Sequence, residues 1–268
     1  MPLAFYREIW DLTEKPRMKQ PRLFMVWPAY NEAENLESLM ARTERVLHRL
    51  GQLGHEREYI VVDDGSTDGT PQLLARLCAT LPITVITHKP NQGLGPTIRD
   101  GLRVASERAD DDDLLVAMDA DDTHPPGLMI AMVQKALAGN DVVIASRYRP
   151  GARVVGLPWH RKLLSLGARA AFQLTFPIPG VRDYTCGYRC YRAGVVRLAF
   201  ERYGDAFVEH SGFQCMADIL VRLARLGAIV DEVPLVLRYD RKRGASKMRV
   251  ARTVLQTLQL LVVRRLRP

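Results

Sequence analysis

Short runs of apolar residues alternate with longer amphipathic stretches from about residue 23 onward. Five runs rich in Val, Ile and Leu predict buried β-strands at residues 23–26, 59–62, 83–86, 114–118 and 142–145. Helical spacing lies between them, at residues 33–50, 70–77, 96–105 and 126–137. Continuous apolar strands separated by helices are typical of a parallel sheet covered on both faces. The pattern therefore predicts an α/β fold with a mostly parallel central sheet.

Beyond residue 149 the pattern changes. Residues 159–176 and 213–226 have helical spacing, residues 184–191 are irregular or strand-like, and residues 229–237 predict a strand. The last segment has an apolar stripe, formed by Ala251, Val254, Leu255, Leu258, Leu261 and Val262. This stripe predicts a C-terminal amphipathic helix, which either packs onto the core or lies in a membrane interface. The stretch from residue 163 to 176 also fits a helix in a membrane interface.

A polar cluster follows each of the five predicted strands. The clusters occupy residues 28–32, 63–66, 91–95, 119–122 and 146–148. Ligands of open α/β sheets bind beyond the carboxyl ends of the strands. We therefore expect all five clusters to line one edge of the sheet and to form a binding site there.

Asp119 and Asp121 follow the fourth strand. Two carboxylates this close repel each other unless a cation lies between them. Oxygen ligands without neighbouring thiolates favour Mg²⁺ or Mn²⁺ over zinc, and a diphosphate would supply further oxygens. The alternative is helix capping, by Asp122 or Thr123, of a helix that Pro125 and Pro126 open.

Asp63 and Asp64 occupy the same position after the second strand. An acid there commonly accepts hydrogen bonds from a nucleotide, although a turn without a ligand is the alternative. The glycines of the 91–95 loop match neither the phosphate-binding loop of kinase-like enzymes nor the dinucleotide fingerprint. These absences argue against a nucleotidase or a dehydrogenase.

The chain carries 38 Lys and Arg against 30 Asp and Glu, a formal net charge of +8. A positive balance suits an anionic partner, although the basic residues near the C-terminus also fit a solvated tail. We find no aromatic and basic stacking platform, so nucleic acid is not an expected partner. The four cysteines have no zinc-ligand spacing. With no signal peptide and no apolar stretch long enough to span a bilayer, we expect a cytoplasmic protein.

Taken together, the motifs resemble those of family 2 glycosyltransferases of the GT-A fold, and within them the dolichyl- or polyprenyl-phosphate mannosyl- and glucosyltransferases. The resemblance runs from about residue 23 to 247. Its marks are Pro-Ala-Tyr-Asn-Glu, Asp-Asp-Gly-Ser-Thr-Asp-Gly, Asn-Gln-Gly-Leu-Gly, Asp-Ala-Asp, Ser-Arg-Tyr, Asp183 with Cys-Gly-Tyr-Arg, and Arg-x-x-Gly-x-Ser-Lys. It implies an N-terminal extension (1–21), a GT-A domain (22–240), and a phosphate-contacting loop with the C-terminal helix (241–268).

The resemblance also implies residue roles. Contacts to the nucleotide sugar would come from Pro28, Tyr30, Glu32, Val62, Asp64, Ala120, Arg241 and Lys247. The acceptor phosphate would be gripped by Arg147, Arg161 and Ser165. The metal would be held by Asp119 and Asp121, which with Asp183 and Arg241 form the implied catalytic set.

The activity implied is inverting transfer of a hexose, with GDP-mannose favoured as donor, to a polyprenyl phosphate at the cytoplasmic face of a membrane. A membrane-anchored partner protein is a further implied partner. A soluble hydroxyl acceptor, for which His124 could act as base, or a UDP-glucose-type donor is the alternative within the class. Two alternatives of other classes are a nucleotide-sugar-binding module without turnover and a nucleic-acid-binding protein.

Overall fold

Strand β1 (Leu23–Ala29) lies near the middle of a seven-stranded sheet in the computed structural model. The other six strands are β2 (Arg57–Asp63), β3 (Ile83–Thr87), β4 (Leu114–Ala117), β5 (Val142–Ser146), β7 (Arg189–Arg192) and β8 (Val230–Pro234). A two-stranded sheet joins β6 (Arg153–Val155) to β9 (Val236–Arg238). The structure describes residues 20–241, 256, 257, 259–261 and 264, with only the backbone described at 160–162 and 241.

Seven α-helices are described between residues 20 and 241. They are α1 (Ala33–Gly51), α2 (Thr70–Leu77), α3 (Leu94–Arg108), α4 (Met129–Leu137), α5 (Trp159–Thr175), α6 (Ala193–Tyr203) and α7 (Cys215–Arg225). Short 3₁₀ turns occur at Pro126–Leu128, Gly204–Val208 and Tyr239–Arg241. Helices α1 to α4 match the predicted helical stretches, because their apolar spacing presents one face to the sheet.

The strand order is β3-β2-β1-β4-β7-β5-β8. Strand β7 pairs antiparallel with both β4 and β5, whereas the pairings on either side are parallel. The predicted α/β fold with a mostly parallel sheet is therefore confirmed. Because the first five strands run in one direction, the loops that follow them meet at one edge, as predicted.

Helix α3 packs directly against the sheet through a glycine. A Cβ added at Gly101 would lie 2.6 Å from Cγ1 of Val26 and 3.2 Å from Cγ2 of Val62. Strand β1 is buried from Leu23 to Trp27, and β4 is buried throughout. This close packing fixes the position of α3 on the sheet, and α3 begins next to the loop that follows β3.

The region after residue 149 departs from the predicted pattern in three places. The predicted strand at 229–237 breaks into β8 and β9, which belong to different sheets. Within the segment at 184–191, only its end enters a strand, the antiparallel β7. Helix α6 was not predicted, and neither was strand β6, which has only three residues.

The described residues of the C-terminal segment are helical and pack inward. Leu260 is buried among the core residues, and Leu261 packs against them. Arg264 donates to both carboxylate oxygens of Asp218, from Nε at 2.7 Å and from Nη2 at 2.9 Å. The inward alternative for this helix is therefore correct at these positions, although the buried Leu260 lies outside the predicted stripe.

No helix among the described residues is long and apolar enough to cross a membrane.

Candidate active site

The loops that follow β1 and β2 are tied together at the sheet edge. The amide of Asn31 donates to Oγ of Ser66 (2.9 Å), and the amide of Thr67 donates to Oδ1 of Asn31 (2.7 Å). The amide of Glu32 donates to Oγ1 of Thr70 (2.9 Å). Asn31 has a φ of 52°, in the left-handed region that non-glycine residues rarely adopt. These hydrogen bonds thus fix the loop that carries the predicted nucleotide residues Tyr30 and Glu32, while the third, Pro28, lies at the end of β1.

Asp64 anchors the loop that follows β3. Its Oδ1 accepts from the amide of Gln92 (2.9 Å) and its Oδ2 from the amide of Gly93 (2.8 Å). Nδ1 of His88 lies 2.8 Å from the same Oδ1. An ionised carboxylate offers about four acceptor sites, so this arrangement leaves room for a ligand donor on Oδ2. Asp63 takes the turn role instead, because its Oδ1 accepts from the amide of Ser66 (3.1 Å).

The glycines of the 91–95 loop allow it to contact the segment before α7. The amide of Gly95 donates to the carbonyl of Ser211 (3.1 Å), and a Cβ at Gly95 would lie only 1.7 Å from the carbonyl oxygen of His210. Gly93 has a φ of 93°. Gly95 is therefore required for close approach of the two backbones, and Gly93 for a left-handed turn. Neither role is that of a glycine in a phosphate-loop or dinucleotide-binding motif.

Asp119 and Asp121 lie in the turn that follows β4. Oδ1 of Asp121 accepts from the amide (3.2 Å) and from the hydroxyl (2.7 Å) of Thr123. Asp122 has a φ of 61° and pairs with Arg42 of α1. The capping alternative is wrong, since no side chain caps the 3₁₀ turn or α4. The turn instead holds the predicted metal-binding acids at the mouth of the sheet.

Asp119 and Asp121 both lie near enough to Tyr239 to influence its hydroxyl. Burial raises the pKa of the Tyr239 hydroxyl; Arg147 opposes that shift, and the charges of Asp119 and Asp121 add to it. The two acids are two residues apart in one turn, and their oxygens are ligands of the kind that Mg²⁺ and Mn²⁺ prefer. The residues present therefore fit a divalent cation of this class. The amide of Arg238 donates to the carbonyl of Thr123 (3.0 Å) and ties this turn to β9.

Arg147 is held at the end of β5 by Asp183. Its Nε lies 2.8 Å from Oδ2 and its Nη2 2.6 Å from Oδ1, and Nη2 also donates to Oγ1 of Thr185 (2.6 Å). Burial favours the neutral form of Asp183, but the charge and hydrogen bonds of Arg147 outweigh it and lower the pKa of the carboxyl. Asp183 also accepts from the amide of Cys186 (3.1 Å). It is therefore suited to positioning Arg147 and not to accepting a proton.

Ser165 on α5 lies beside the same strand end. The hydroxyl of Tyr148 contacts Oγ of Ser165 and donates to the Ser165 carbonyl (3.0 Å). The guanidinium of Arg147 lies 5.5 Å from the centre of the Tyr148 ring, and that of Arg169 lies 4.9 Å from it. The structure thus brings together Arg147 and Ser165, two of the three residues predicted to grip the acceptor phosphate.

Some predicted site residues have a restricted or undescribed environment. The side chains of Val62 and Ala120 are buried, so a ligand contact from either would come from its backbone. Arg161 lies four residues before Ser165 in α5 and so on the same helical face, but its side chain is outside the described residues. The side chain of Arg241 and the whole of Lys247 are also outside the described residues. Roles for these residues stay predictions.

A second group of potential metal ligands lies at Glu209, His210 and Asp218. Arg264 pairs with both of the carboxylates, and Arg222 does so as well. Because two guanidinium groups already neutralise the two acids, this cluster is an ion-pair network that docks the C-terminal segment. It does not compete with the site at Asp119 and Asp121.

Three residues that organise the site were not predicted from the sequence. Glu232 on β8 accepts from the amides of Arg182 and Asp183, both at 2.7 Å, and so fixes the segment that carries Asp183. Thr185 contacts Arg147. His88 is the first residue after β3 and contacts Asp64. The rule that polar residues at strand ends are functional would have found His88. Glu232 lies inside the predicted strand at 229–237, where a polar residue does not by itself indicate a functional role.

Comparison with known proteins decides the family. Residues 25–197 match the model for glycosyl transferase family 2, a span that includes most of β1, all of β2 to β5 and the segments that follow these five strands. The chain belongs to glycosyltransferase family 2. The predicted family is therefore confirmed, and the enzyme is a glycosyltransferase.

Relatives of this glycosyltransferase include three named mannosyl-transferring proteins. The polyprenol monophosphomannose synthase of Mycolicibacterium smegmatis is 34% identical over 88% of this chain and 84% of its own. The undecaprenyl-phosphate mannosyltransferase of Micrococcus luteus is 35% identical over 85% and 87%. The dolichol-phosphate mannosyltransferase of Pyrococcus furiosus is 31% identical over 89% of this chain, which spans only 62% of that relative's length.

Solved structures with the same fold include two sugar-transferring enzymes. A mannosyltransferase from Pyrobaculum calidifontis, in complex with GDP-Man and Mn²⁺, superposes with a TM-score of 0.58 at 21% identity, over all of this chain and 72% of its own. A mannosyl-3-phosphoglycerate synthase from Rubrobacter xylanophilus gives 0.56 at 19% identity, over all of this chain and 78% of its own. At these identities the likeness is one of fold, and it confirms the predicted GT-A architecture.

Proposed function

We propose that this glycosyltransferase moves mannose from GDP-mannose to a polyprenyl phosphate, with inversion at the sugar carbon. The observation that carries the proposal is the pairing of two sites on one sheet edge. One is the acidic turn at Asp119 and Asp121, and the other is Arg147, held by Asp183. The names of the three relatives that match most of this chain point to the same donor sugar and the same class of acceptor.

The donor would lie across the loops that follow β1, β2 and β4. Asp64, Tyr30 and Glu32 are the side chains suited to the nucleoside, and Asp119 and Asp121 would hold Mg²⁺ or Mn²⁺. When bound, the cation would neutralise negative charge on the leaving diphosphate. Arg241 and Lys247 are proposed to contribute further positive charge at the diphosphate.

The acceptor would meet Arg147, with Ser165 and Arg161 on the same face of α5. A phosphate monoester has its second pKa at roughly 6, so its oxygen is already a nucleophile near neutral pH. Such an acceptor needs orientation and charge neutralisation and no general base. The environment of Asp183 agrees, because its carboxylate is engaged by Arg147 and its pKa is lowered. Asp183 is accordingly proposed as a positioning residue.

Helix α5 is the surface proposed to meet the membrane at its cytoplasmic face. Trp159, Leu163, Leu166 and Leu174 are spaced to lie on one side of the helix, and their exposed fractions are 73%, 58%, 47% and 83%. An amphipathic helix with an exposed apolar face can lie in the interface of a bilayer. The phosphate-contacting residue Ser165 is on the same helix, so the interface would present the acceptor headgroup to Arg147. A membrane-anchored partner protein is a further proposal for this surface.

A soluble hydroxyl acceptor is the alternative within the class. It would require a general base, for which His124 is the candidate beside the acidic turn. His124 is buried, and its ring stacks at a tilt 5.2 Å from that of Tyr188. This environment does not favour a residue that must reach an acceptor.

The decisive experiment is a turnover assay with GDP-mannose or UDP-glucose, Mn²⁺ or Mg²⁺, and a short polyprenyl phosphate. We expect mannose to pass into a lipid-extractable product, and chelation of the metal to abolish the transfer. Asp121→Asn should reduce kcat by at least about 100-fold while the protein remains folded. Asp112→Asn, in the exposed loop before β4, is the matched control. Equal turnover with a soluble sugar acceptor, or wild-type rates in Asp121→Asn, would contradict the proposal.

A further inference from the structure

His88 connects two acidic side chains from different elements. Its Nδ1 lies 2.8 Å from Oδ1 of Asp64, which follows β2, and its Nε2 lies 3.0 Å from Oδ2 of Asp100 on α3. The imidazole is buried, with a side-chain exposure of 5%, and Asp64 is equally buried. Both ring nitrogens are therefore within hydrogen-bond distance of carboxylate oxygens.

The chemistry of the two groups restricts the protonation state of the imidazole. An ionised carboxylate only accepts hydrogen bonds, and a neutral imidazole has a single N–H donor. Only the imidazolium form can donate to both acids at once. Nε of Arg99 donates to the other oxygen of Asp100 (2.8 Å), as expected of an ionised carboxylate. Among the described residues, His88 contacts the charged groups of Asp64 and Asp100, and Asp100 in turn pairs with Arg99.

The position of His88 relates this bridge to the nucleotide site. The amide of His88 donates to the carbonyl of Asp63 (2.9 Å), so the residue is fixed at the end of β3. The carboxylate that the imidazole contacts is the same one that accepts the amides of Gln92 and Gly93. His88 contacts Oδ1 of Asp64, an oxygen that already accepts the Gln92 amide, so we expect it to act on a nucleotide through that carboxylate.

We propose that His88 is a positioning residue for the nucleotide, which as an imidazolium holds Asp64 and the 91–93 loop in their binding geometry. The inference rests on the proposed use of Asp64 as a nucleoside contact. Without this imidazole, Asp64 loses its bridge to Asp100 on α3. Nucleotide affinity therefore falls when His88 is replaced.

The protonation state can be observed directly. In a two-bond ¹H–¹⁵N spectrum of the full chain, the His88 signals are those missing from the His88→Gln protein. We expect both His88 nitrogens to carry protons, because each lies within hydrogen-bond distance of a carboxylate oxygen. A neutral tautomer, with one unprotonated nitrogen, would overturn the proposal.

Nucleotide affinity supplies the functional test. Binding of GDP and UDP with Mn²⁺ is measured by calorimetry for the wild type, His88→Gln, Asp100→Asn and the double variant. We expect His88→Gln to weaken binding about tenfold, the scale of one charge-assisted hydrogen bond. Asp100→Asn should weaken binding less, and adding it to His88→Gln should have no further effect, because both act through one bridge. His55→Gln is the matched control, since His55 is also buried but contacts the carbonyl of Pro21 before β1 (2.8 Å).

The His55→Gln control separates positioning from a general loss of structure, because losing that buried imidazole should leave nucleotide affinity unchanged. Thermal unfolding shows whether each variant is folded at the assay temperature. Wild-type nucleotide affinity in His88→Gln would overturn this inference alone. If the wild-type protein binds neither nucleotide, the proposed function is contradicted and the inference falls with it.

Discussion

The guanidinium of Arg147 and the carboxylate of Asp183 form a bidentate pair in which the acid is 1% exposed and the arginine 16% exposed. Arg147 follows β5, and Asp183 precedes β7, the strand that pairs with β5. A paired and buried carboxylate holds a guanidinium in a fixed orientation, because both oxygens are engaged at once. The pair thus supplies an oriented cation at the edge of the sheet where the acceptor is proposed to bind.

The bidentate geometry of the Arg147 guanidinium should matter more for activity than its charge. Arg147→Lys keeps the positive charge but cannot make the bidentate pair, so the cation would lose its orientation. We expect kcat/KM for polyprenyl phosphate to fall by about 100-fold or more, with the KM for GDP-mannose nearly unchanged. Steady-state kinetics with each substrate varied in turn would measure both. Arg153→Lys, at an exposed position of β6, is the control. An equal rise in both KM values would count against an acceptor role.

Asp183 should also make stability depend on pH. Its pKa is lowered in the folded protein, because the charge of Arg147 and the hydrogen bonds outweigh the effect of burial. A lowered pKa means that the stabilisation is present above the unfolded-state pKa and is lost as the pH falls through the folded-state pKa. Urea unfolding of the wild type should therefore show stability falling on acidification. The unfolding free energy of Asp183→Asn should depend less on pH in the acid range. The same acid dependence in both proteins would refute the lowered pKa of Asp183.

Gly95 should tolerate no side chain. A Cβ there would lie 1.7 Å from the carbonyl oxygen of His210, and a backbone atom must move to relieve that contact. Gly95→Ala should cost about 3 kcal/mol or more in unfolding free energy, despite the helix preference of alanine. Gly127→Ala is the matched control, because a Cβ at Gly127 meets nothing within 4 Å. Chemical denaturation of the two proteins gives the comparison, and similar stabilities would contradict the close contact.

The apolar face of α5 should govern membrane association without affecting the donor site. Leu163→Gln combined with Leu174→Gln removes two of the most exposed leucines of the helix. We expect sedimentation with vesicles containing anionic lipid to fall about tenfold, because apolar area buried in the interface is lost. GDP affinity should be unchanged. Leu53→Gln, an equally exposed leucine after α1, should bind vesicles like the wild type. Unchanged vesicle binding by the α5 variant would rule out this surface.

The sequence was sufficient for the parallel half of the sheet and for the order of its binding loops. Strands β1, β2, β4 and β5 are largely buried apolar runs, as their pattern indicates, whereas β3 is only partly buried at the edge of the sheet. A parallel sheet must gather the loops after its strands at one edge. The acids at 119 and 121, the glycines at 93 and 95 and the motif around Arg147 were therefore predictable as a cluster. The sequence did not show which partner each of these side chains contacts.

Tertiary structure decided those partners through contacts between residues far apart in the chain. The insertion of β7 between β4 and β5 brings Asp183 to Arg147, and β8 then places Glu232 against the amide of Asp183. The fold of the β3 loop likewise sets His88 between Asp64 and Asp100. Periodicity reports which face of one element is buried, but it carries no information on which element lies opposite. For that reason the sequence determined the family and the edge of the sheet where the polar loops meet, whereas only the packed sheet determined which carboxylates contact Arg147 and His88.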